Sequence, residues 1–523
     1  MANTAGAKPT PSRKAVSNFS GPGMNRAGRK PVSVLLLLLI LSAGGWNSCT
    51  KADIIKEVPI QRTDGYRGIW YADLASDDEF RYVYYSGGLG TYTAKHRPSA
   101  YYSKEAEKTF FVYGGVADDG ESLQQMISWF DHQNGTLPEP VAILDRKTGD
   151  AHDNPSISLD KDGNIWIFAS SHGRQRSSYI YKSGKPYSID SFELMSETNF
   201  SYPQPWYIRN RGFLFLHTRY VDGRHLYWST SRDGTEWDSP RKLAAIDEGH
   251  YQISWIHQDK VGTAFNYHPA SDAGGNWDNP ENPGVNPSAS GTNNRTNLYY
   301  IETADFGQTW RTADGTVIEP PITSADSPAL VRDYNREGLL VYLKDMAFDA
   351  EGRPVLLYLT SHGSESGPGN DPRTLRTAFW QDGQWRFGEI TTSDNNYDSG
   401  SIYVESDGAW VVLAPTGVGP QPYNSGGEIC RWVSSDQGRT WKNIAAITYS
   451  SKYNHNYVKK PVNGQEDFYG FWADGHARMK SPSRIYFSSK NGTVYRLPEK
   501  INSELVLPER VFSQPKNISG DNR

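Results

Sequence analysis

Most histidines of this sequence fall at one end of short runs that alternate polar and apolar residues. Two such runs joined by a tight turn form a hairpin, in which the first strand begins where the second strand ends. Polar residues at these positions should therefore meet at one face of the fold. They are His96, His152 with His172, Tyr202 with Arg219, His250 with His268, Lys344 with His362, Tyr397, and His455.

Histidine, tyrosine and arginine together suit a β-elimination beside a carboxylate. The proton on C5 of a uronic acid can be removed once a cation neutralises the adjacent carboxylate and stabilises the enolate-like intermediate, and Arg219 is the candidate for that role. A neutral histidine or an ionised tyrosine can take the proton, and a second one can protonate the leaving oxygen at C4. The histidines and tyrosines of this face are the candidates for these two roles.

A further set of residues are candidates for binding substrate rather than for proton transfer. They are Tyr251, His250, His268, Lys344, His362, Arg376 and Tyr397. No pair of histidines shows zinc-like local spacing such as HExxH, so we expect no metal at the site. No cofactor should be required, and calcium is the one metal for which we leave a structural role open.

Several enzyme classes are disfavoured by what the sequence lacks. No carboxylate pair stands out among these residues, as most glycosidases would need. The arginine-isoleucine-proline start of sialidases, glycine-rich phosphate loops and a serine–histidine–aspartate pattern are also missing. A formal net charge of −5 and a pI near 6.2 argue against nucleic acid as a partner.

The hairpin pattern occurs seven times, with Asp-Gly or Asn-Gly turns in several copies. The copies span residues 96–115, 152–172, 202–219, 250–268, 344–362, 397–416 and 455–474, the last being the weakest. High counts of Gly (49), Pro (31), Trp (16) and Tyr (32) fit many short strands joined by turns. We therefore predict an all-β protein, a seven-bladed β-propeller.

Three further turns have the form of Asp boxes, at residues 231–237, 304–310 and 435–441. In such a turn the aspartate caps backbone N–H groups and the tryptophan packs between sheets. We assign these motifs a structural role.

The N-terminus has the features of an export signal. Basic residues (Arg26, Arg29 and Lys30) precede the apolar run 34–41, and Cys49 follows a small-residue region. We predict that residues 1–49 are an upstream extension and lipoprotein signal peptide, and that residues 50–523 form one propeller with its core at about 62–500. The protein would be an exported bacterial lipoprotein, periplasmic or outer-membrane associated and monomeric, with a lipid on Cys49 as its only membrane contact. An ordinary secretory signal is the alternative.

Residues 65–71, 85–92, 95–98 and 152–155 resemble the BNR-repeat-like propeller family. That family includes ulvan lyases, L-rhamnose-α-1,4-D-glucuronate lyases and α-L-rhamnosidases. The resemblance implies a seven-bladed propeller acting on an acidic plant or algal polysaccharide. His152, His172, Tyr202 and Arg219 look like the residue set that such lyases use, with Tyr220 and Tyr251 as alternatives to Tyr202.

The resemblance leaves the reaction open. The rhamnosidases of this group are thought to use a single histidine on the opposite face of the propeller. His96 is the candidate by its place in the chain, although the hairpin argument puts it on the same face as the others. We favour β-elimination at a rhamnose–glucuronate linkage, with hydrolysis of that linkage and non-catalytic glycan binding as alternatives.

Lipidation can be tested directly. Growth with a radioactive fatty acid should label the wild-type protein, and Cys49→Ala should abolish the label because the acylated thiol is gone. Unlabelled wild-type protein released into the medium would contradict the lipoprotein prediction.

Overall fold

Antiparallel strands make up almost all the regular structure of the chain. The computed structural model describes residues 56–75, 83–269, 294–512 and 515–517. Within these ranges the helical elements are two single-turn 3-10 helices, Ala151–Asp153 and Pro368–Asn370. The all-β prediction is confirmed. Neither helical turn has the length or apolar character that crossing a membrane requires.

Seven sheets of four or more strands follow one another along the described chain, and we number them 1 to 7. Each is an antiparallel meander, as in a propeller blade. Sheet 1 contains Ala100–Ser103, Lys108–Val116, Leu123–Asp131 and Val141–Asp145, with Gln61–Arg62 at its edge. Sheet 2 contains Pro155–Leu159, Ile165–Ala169, Ser178–Ser183 and Phe192–Thr198, with Lys56–Val58 at its edge. Sheet 3 contains Ser201–Ile208, Gly212–Tyr220, Arg224–Ser231 and Arg241–Ala244.

The remaining sheets repeat this arrangement. Sheet 4 contains Gln252–His257, Lys260–Tyr267, Thr296–Thr303, Trp310–Arg311 and Val317–Ile318, and Leu330–Arg332 also pairs with its third strand. Sheet 5 contains Leu340–Phe348, Pro354–Ser361, Arg373–Gln381 and Gln384–Ser393. Sheet 6 contains Ser401–Val404, Trp410–Gly417, Glu428–Ser434, Lys442–Ala446 and Lys516–Asn517. Sheet 7 contains Asn454–Lys459, Gly470–Gly475, Ile485–Ser488, Val494–Arg496 and Glu509–Phe512. There are two smaller sheets. One contains Gly68–Ala75, Val83–Gly88 and Ser481–Ser483, and the other pairs Leu137–Pro138 with Leu505–Val506.

Each of the seven predicted hairpins forms the first two strands of one sheet. The seventh differs in its connection. We predicted a tight turn at Asn463–Gly464, but the first strand ends at Lys459 and the second begins at Gly470. A longer loop, residues 460–469, joins them.

Consecutive sheets contact each other through their first or second strands. Sheet 7 returns to sheet 1, since the backbone N–H of Val462 donates to the carbonyl of Ala100 at 2.9 Å. Phe471 and Phe111 lie in one apolar cluster across this junction, with ring centroids 5.3 Å apart. The sheets therefore form a closed ring, and closure leaves only short, protected edges.

Strands also lie outside the predicted core limits of 62–500. Lys56–Val58 completes sheet 2, and Glu509–Phe512 completes sheet 7. The described residues all belong to one compact unit. Cys49 and the rest of the predicted signal peptide lie outside the described residues.

The Asp-box turns are structural, as predicted. In the first, Oδ1 of Asp233 accepts a hydrogen bond from the backbone N–H of Thr235 at 2.9 Å. Gly234 follows with φ +81° and faces the buried ring of Trp166 in sheet 2. The turn therefore contributes to packing between sheets 2 and 3.

This packing predicts a specific loss of stability for Gly234→Ala. A Cβ at Gly234 would lie 2.3 Å from the ring of Trp166, whereas a Cβ at Gly315, which also has a positive φ, meets no described atom within 4 Å. Gly234→Ala should therefore lower the free energy of unfolding by about 1–3 kcal/mol more than Gly315→Ala does. Urea denaturation measures both, and equal losses would contradict a packing role for Gly234.

Candidate active site

Polar side chains from sheets 2, 3 and 4 converge near the starts of the first strands. The rings of His152 and His172 stack with centroids 4.3 Å apart and an interplanar angle of 18°. The ring of Tyr202 lies 6.1 Å from His152 and 6.3 Å from His172. Tyr251 lies 5.5 Å from Tyr202. We call these four residues the His–Tyr cluster.

One carboxylate connects the two histidines. Asp150 caps the 3-10 turn Ala151–Asp153 by accepting a hydrogen bond from the backbone N–H of His152. Its Oδ1 lies 2.7 Å from Nδ1 of His152, and its Oδ2 lies 2.9 Å from Nδ1 of His172. Burial alone would raise the pKa of Asp150, but the two imidazoles hold that pKa well below its usual range.

The two histidines differ in their remaining nitrogen. Nε2 of His152 lies 3.2 Å from the hydroxyl of Tyr92, whereas no described residue bonds to Nε2 of His172. Burial and the charge of His172 lower the pKa of His152. Burial also disfavours the charged form of His172, but the negative charge of Asp150 outweighs it and raises the pKa of His172. His172 is therefore the member of the pair that is suited to carry a proton.

Cations surround the phenol of Tyr251. Nη1 of Arg224 donates to its hydroxyl at 3.0 Å, and the guanidinium carbons of Arg224 and Arg295 lie 4.1 Å and 4.6 Å from the ring centroid. Nζ of Lys95 lies 4.9 Å from the same ring. Burial would raise the pKa of Tyr251, but the charges of Arg224 and Arg295 lower it below the ordinary value of 10.0.

Two neighbouring basic groups are affected both by burial and by nearby positive charge. Burial, followed by the charges of Arg295 and Lys344, holds the pKa of Lys95 well below its usual range. Burial, followed by the charges of Arg224 and Arg295, does the same to His268. An anionic ligand group would be favoured here.

Tyr202 differs from Tyr251 in charge and in backbone. Burial, with the phenols of Tyr220 and Tyr251 nearby, raises the pKa of Tyr202 well above its usual value, so it stays a neutral hydroxyl. Its φ of +52° is uncommon for a residue with a side chain, and such conformations often occur at functional sites. His96 stacks beneath it with ring centroids 5.6 Å apart.

His96 therefore lies with the His–Tyr cluster and not on another face. It is 2% exposed, and its pKa is lowered by burial and by the nearby charge of Lys459. This placement agrees with the hairpin argument and gives no support to the opposite-face role.

Arg219 is not brought to the cluster. It lies 5.7 Å from the ring of Tyr227, whereas the next residue, Tyr220, has its ring 5.7 Å from His172. Successive side chains of a strand point to opposite faces, so Tyr220 and Arg219 cannot both face the site. Arg224, which begins the following strand, takes the position that we predicted for Arg219.

The other predicted residues divide into two groups. His268 joins the site, with its ring nitrogens 2.9 and 3.0 Å from Nη2 of Arg224, and the hydroxyl of Tyr397 accepts from Nη2 of Arg295 at 3.0 Å. Lys344 is buried beside this region, where burial lowers its pKa to about 7. Three predicted residues lie away from the cluster. Nδ1 of His250 lies 2.8 Å from the carbonyl oxygen of Asn266. Arg376 forms an ion pair with Glu389, and His362 is exposed.

Asp150, His152 and His172 are also the one group in the described ranges whose ligand atoms, all within 4.8 Å of one another, could meet on a metal ion. Each Nδ1 instead has its own Asp150 oxygen at hydrogen-bond distance. The arrangement is therefore complete as a hydrogen-bonded triad.

Sequence reasoning missed Asp150, Arg224, Arg295, Lys95 and Tyr92. Asp150 precedes His152 by two residues and caps a turn, a position at which aspartate is common. Arg224 and Arg295 lie at or just before later strands of their sheets, which a rule based on the first hairpin does not cover. Lys95 and Tyr92 lie in segments that carried the family resemblance but received no role.

Comparisons with known proteins bear on the family and the fold of the chain. A family model described as a BNR repeat-containing family member matches residues 121–393, just over half of the chain. The chain belongs to this family. It is 22% identical over 316 residues to an ulvan lyase, PL25, of Pseudoalteromonas sp. (strain PLSV). That alignment covers 54% of the chain and 61% of the relative, so the chain matches about three-fifths of the relative's length.

Solved structures support the fold. A PL25 ulvan lyase superposes with a TM-score of 0.61 at 16% identity, covering 82% of this chain and 96% of that one. A structure of such an enzyme bound to -[GlcA(1-4)Rha3S]- gives the same values. The polysaccharide lyase Uly1 has a TM-score of 0.52 at 10% identity, over 82% and 99% of the two chains. The predicted family resemblance and propeller-type fold are confirmed.

The two arginines of sheet 3 should differ in their effect on Tyr251. Removing the charge of Arg224 should raise the pKa of Tyr251, whereas Arg219→Gln should leave it unchanged. In a pH titration followed by phenolate absorbance, Tyr251 should ionise ahead of the other tyrosines, in a step that Tyr251→Phe removes. In Arg224→Gln, Tyr251 should ionise at higher pH, together with the other tyrosines. An unchanged Tyr251 step in this variant would contradict the contact between Arg224 and the phenol.

Proposed function

We propose that this protein is a polysaccharide lyase that cleaves a linkage to a uronic acid by β-elimination. The observation that carries the proposal is a pair of groups on either side of the Tyr202 ring. One is the phenol of Tyr251, whose pKa is lowered by surrounding cations, and the other is the imidazole of His172, which can carry a proton. β-Elimination needs a base, an acid and a positive charge for the substrate carboxylate. The His–Tyr cluster and its arginines supply one group of each kind.

In the proposed reaction, Arg224 and Arg295 bind the uronate carboxylate and stabilise the charge that develops on it. The Tyr251 phenolate removes the proton on C5. The C4–O4 bond breaks, a C4–C5 double bond forms, and His172 donates a proton to O4. Tyr202, whose pKa is raised, remains a neutral hydrogen-bond donor to the bound sugar.

The comparisons support this activity through the relatives' names. The ulvan lyases are similar over most of the fold, and one was solved with a glucuronate–rhamnose 3-sulfate ligand. We propose an acidic plant or algal polysaccharide as substrate, and within it the L-rhamnose-α-1,4-D-glucuronate linkage. The enzyme would act as an exported lipoprotein anchored through Cys49, as a monomer that requires no cofactor.

The reaction class can be tested on ulvan and on gum arabic. Elimination creates a double bond conjugated to the carboxylate, so ultraviolet absorbance should rise as the polymer is cut. Release of rhamnose without that chromophore would identify an α-L-rhamnosidase. Sugar binding with neither product would identify a binding module, and both outcomes would overturn the proposal.

The same assay distinguishes the two arginines. Arg224→Ala should lower turnover at least about a hundredfold, because stabilisation of the developing charge is lost. Arg219→Ala is the matched control and should retain most activity at an unchanged melting temperature. The reverse result would return the carboxylate role to Arg219.

A further inference from the structure

Asp150 uses each of its carboxylate oxygens twice. Oδ1 accepts from the backbone N–H of His152 at 3.0 Å and lies 2.7 Å from Nδ1 of that residue. Oδ2 lies 2.9 Å from Nδ1 of His172 and accepts from Nη2 of Arg176 at 3.2 Å. A carboxylate only accepts hydrogen bonds, so both imidazoles must carry their first proton on Nδ1.

Only one of the stacked rings can readily hold a second proton. With centroids 4.3 Å apart, two imidazolium rings would repel each other. Nε2 of His152 lies 3.2 Å from the hydroxyl of Tyr92, a phenol that burial keeps neutral and able to donate. A second proton on His152 would force that hydrogen bond to reverse, so that the phenol accepts and its own proton must turn to another acceptor. Nε2 of His172 has no such competitor among the described residues, and 35% of this side chain is exposed.

We propose that Asp150 is a positioning residue that holds both imidazoles as Nδ1–H donors and keeps the single positive charge of the pair on His172, with Nε2–H available to substrate. The use of that proton in turnover rests on the proposed elimination. The protonation pattern itself does not.

The groups that face His172 are consistent with this assignment. They are Asp150 and Asp153, Arg176, His152 and His96, and the phenols Tyr202, Tyr220 and Tyr251. Asp153 is held by Arg146 and by Arg176 at 2.9 Å, and its Oδ1 accepts from the backbone N–H of His172 at 2.7 Å. This second carboxylate fixes the backbone around His172 without touching its ring, so Asp150→Asn should leave the local fold in place.

Histidine-ring NMR of the whole protein tests the proposal without substrate. In the wild type, His172 should titrate above 6.5 and His152 below it, with assignments from His172→Gln and His152→Gln. Asp150→Asn should lower the midpoint of His172 by about one pH unit or more, because the adjacent negative charge is lost. Asp162→Asn, in the exposed turn of the same hairpin, is the control and should change neither midpoint.

Kinetics supply the second readout. If His172 donates the proton, activity falls as pH rises through its midpoint, so Asp150→Asn should move this alkaline limb to lower pH and reduce kcat more than it raises KM. An unmoved His172 midpoint in Asp150→Asn would overturn the positioning role. A shifted midpoint in a protein that makes no unsaturated product would instead refute the proposed elimination and leave the positioning role standing.

Discussion

The candidate site depends on the register of the first hairpin in each sheet. Pro155 pairs with Ala169 in sheet 2, and Gln252 pairs with Phe265 in sheet 4. Side chains just beyond these pairs, such as those of His152 and His172, are therefore neighbours although 20 positions separate them in the chain. A slip of one residue would turn each strand's side chains to the opposite face and would disperse the site.

Burial of so many ionisable groups requires that opposite charges be close to one another. In the site, the negative and positive charges lie on opposite sides of the His–Tyr cluster. Negative charge lies on Asp150 beneath the histidines, and positive charge from Arg224 and Arg295 surrounds Tyr251. The same environment thus raises the pKa of the His172 imidazole and lowers that of the Tyr251 phenol, the directions that favour a protonated imidazole and an ionised phenol. Groups whose pKa lies near the working pH are the most effective in proton transfer.

The sequence predicted the seven hairpins because period-2 alternation and turn residues are local signals. It also predicted which strand ends would meet, and hence His152, His172 and Tyr202. It could not predict which of two adjacent residues faces the site. His250 and Tyr251 are consecutive, so their side chains point in opposite directions. His250 points into the interior, where its ring bonds to a backbone carbonyl, and Tyr251 points towards Arg224. Arg219 and Tyr220 present the same ambiguity. Arg295 immediately precedes the third strand of sheet 4, whose position relative to the site depends on packing between sheets.

The charges of the site also bear on which reaction it can support. Hydrolysis by paired carboxyl groups needs one of them protonated as an acid. Asp150, the carboxylate of the cluster, is held ionised by two imidazoles and Arg176, and both of its oxygens are occupied. Within the His–Tyr cluster, the groups that can transfer a proton are therefore phenols and imidazoles. These can remove a proton from carbon and return one to oxygen without an attacking water, and that is the requirement of an elimination.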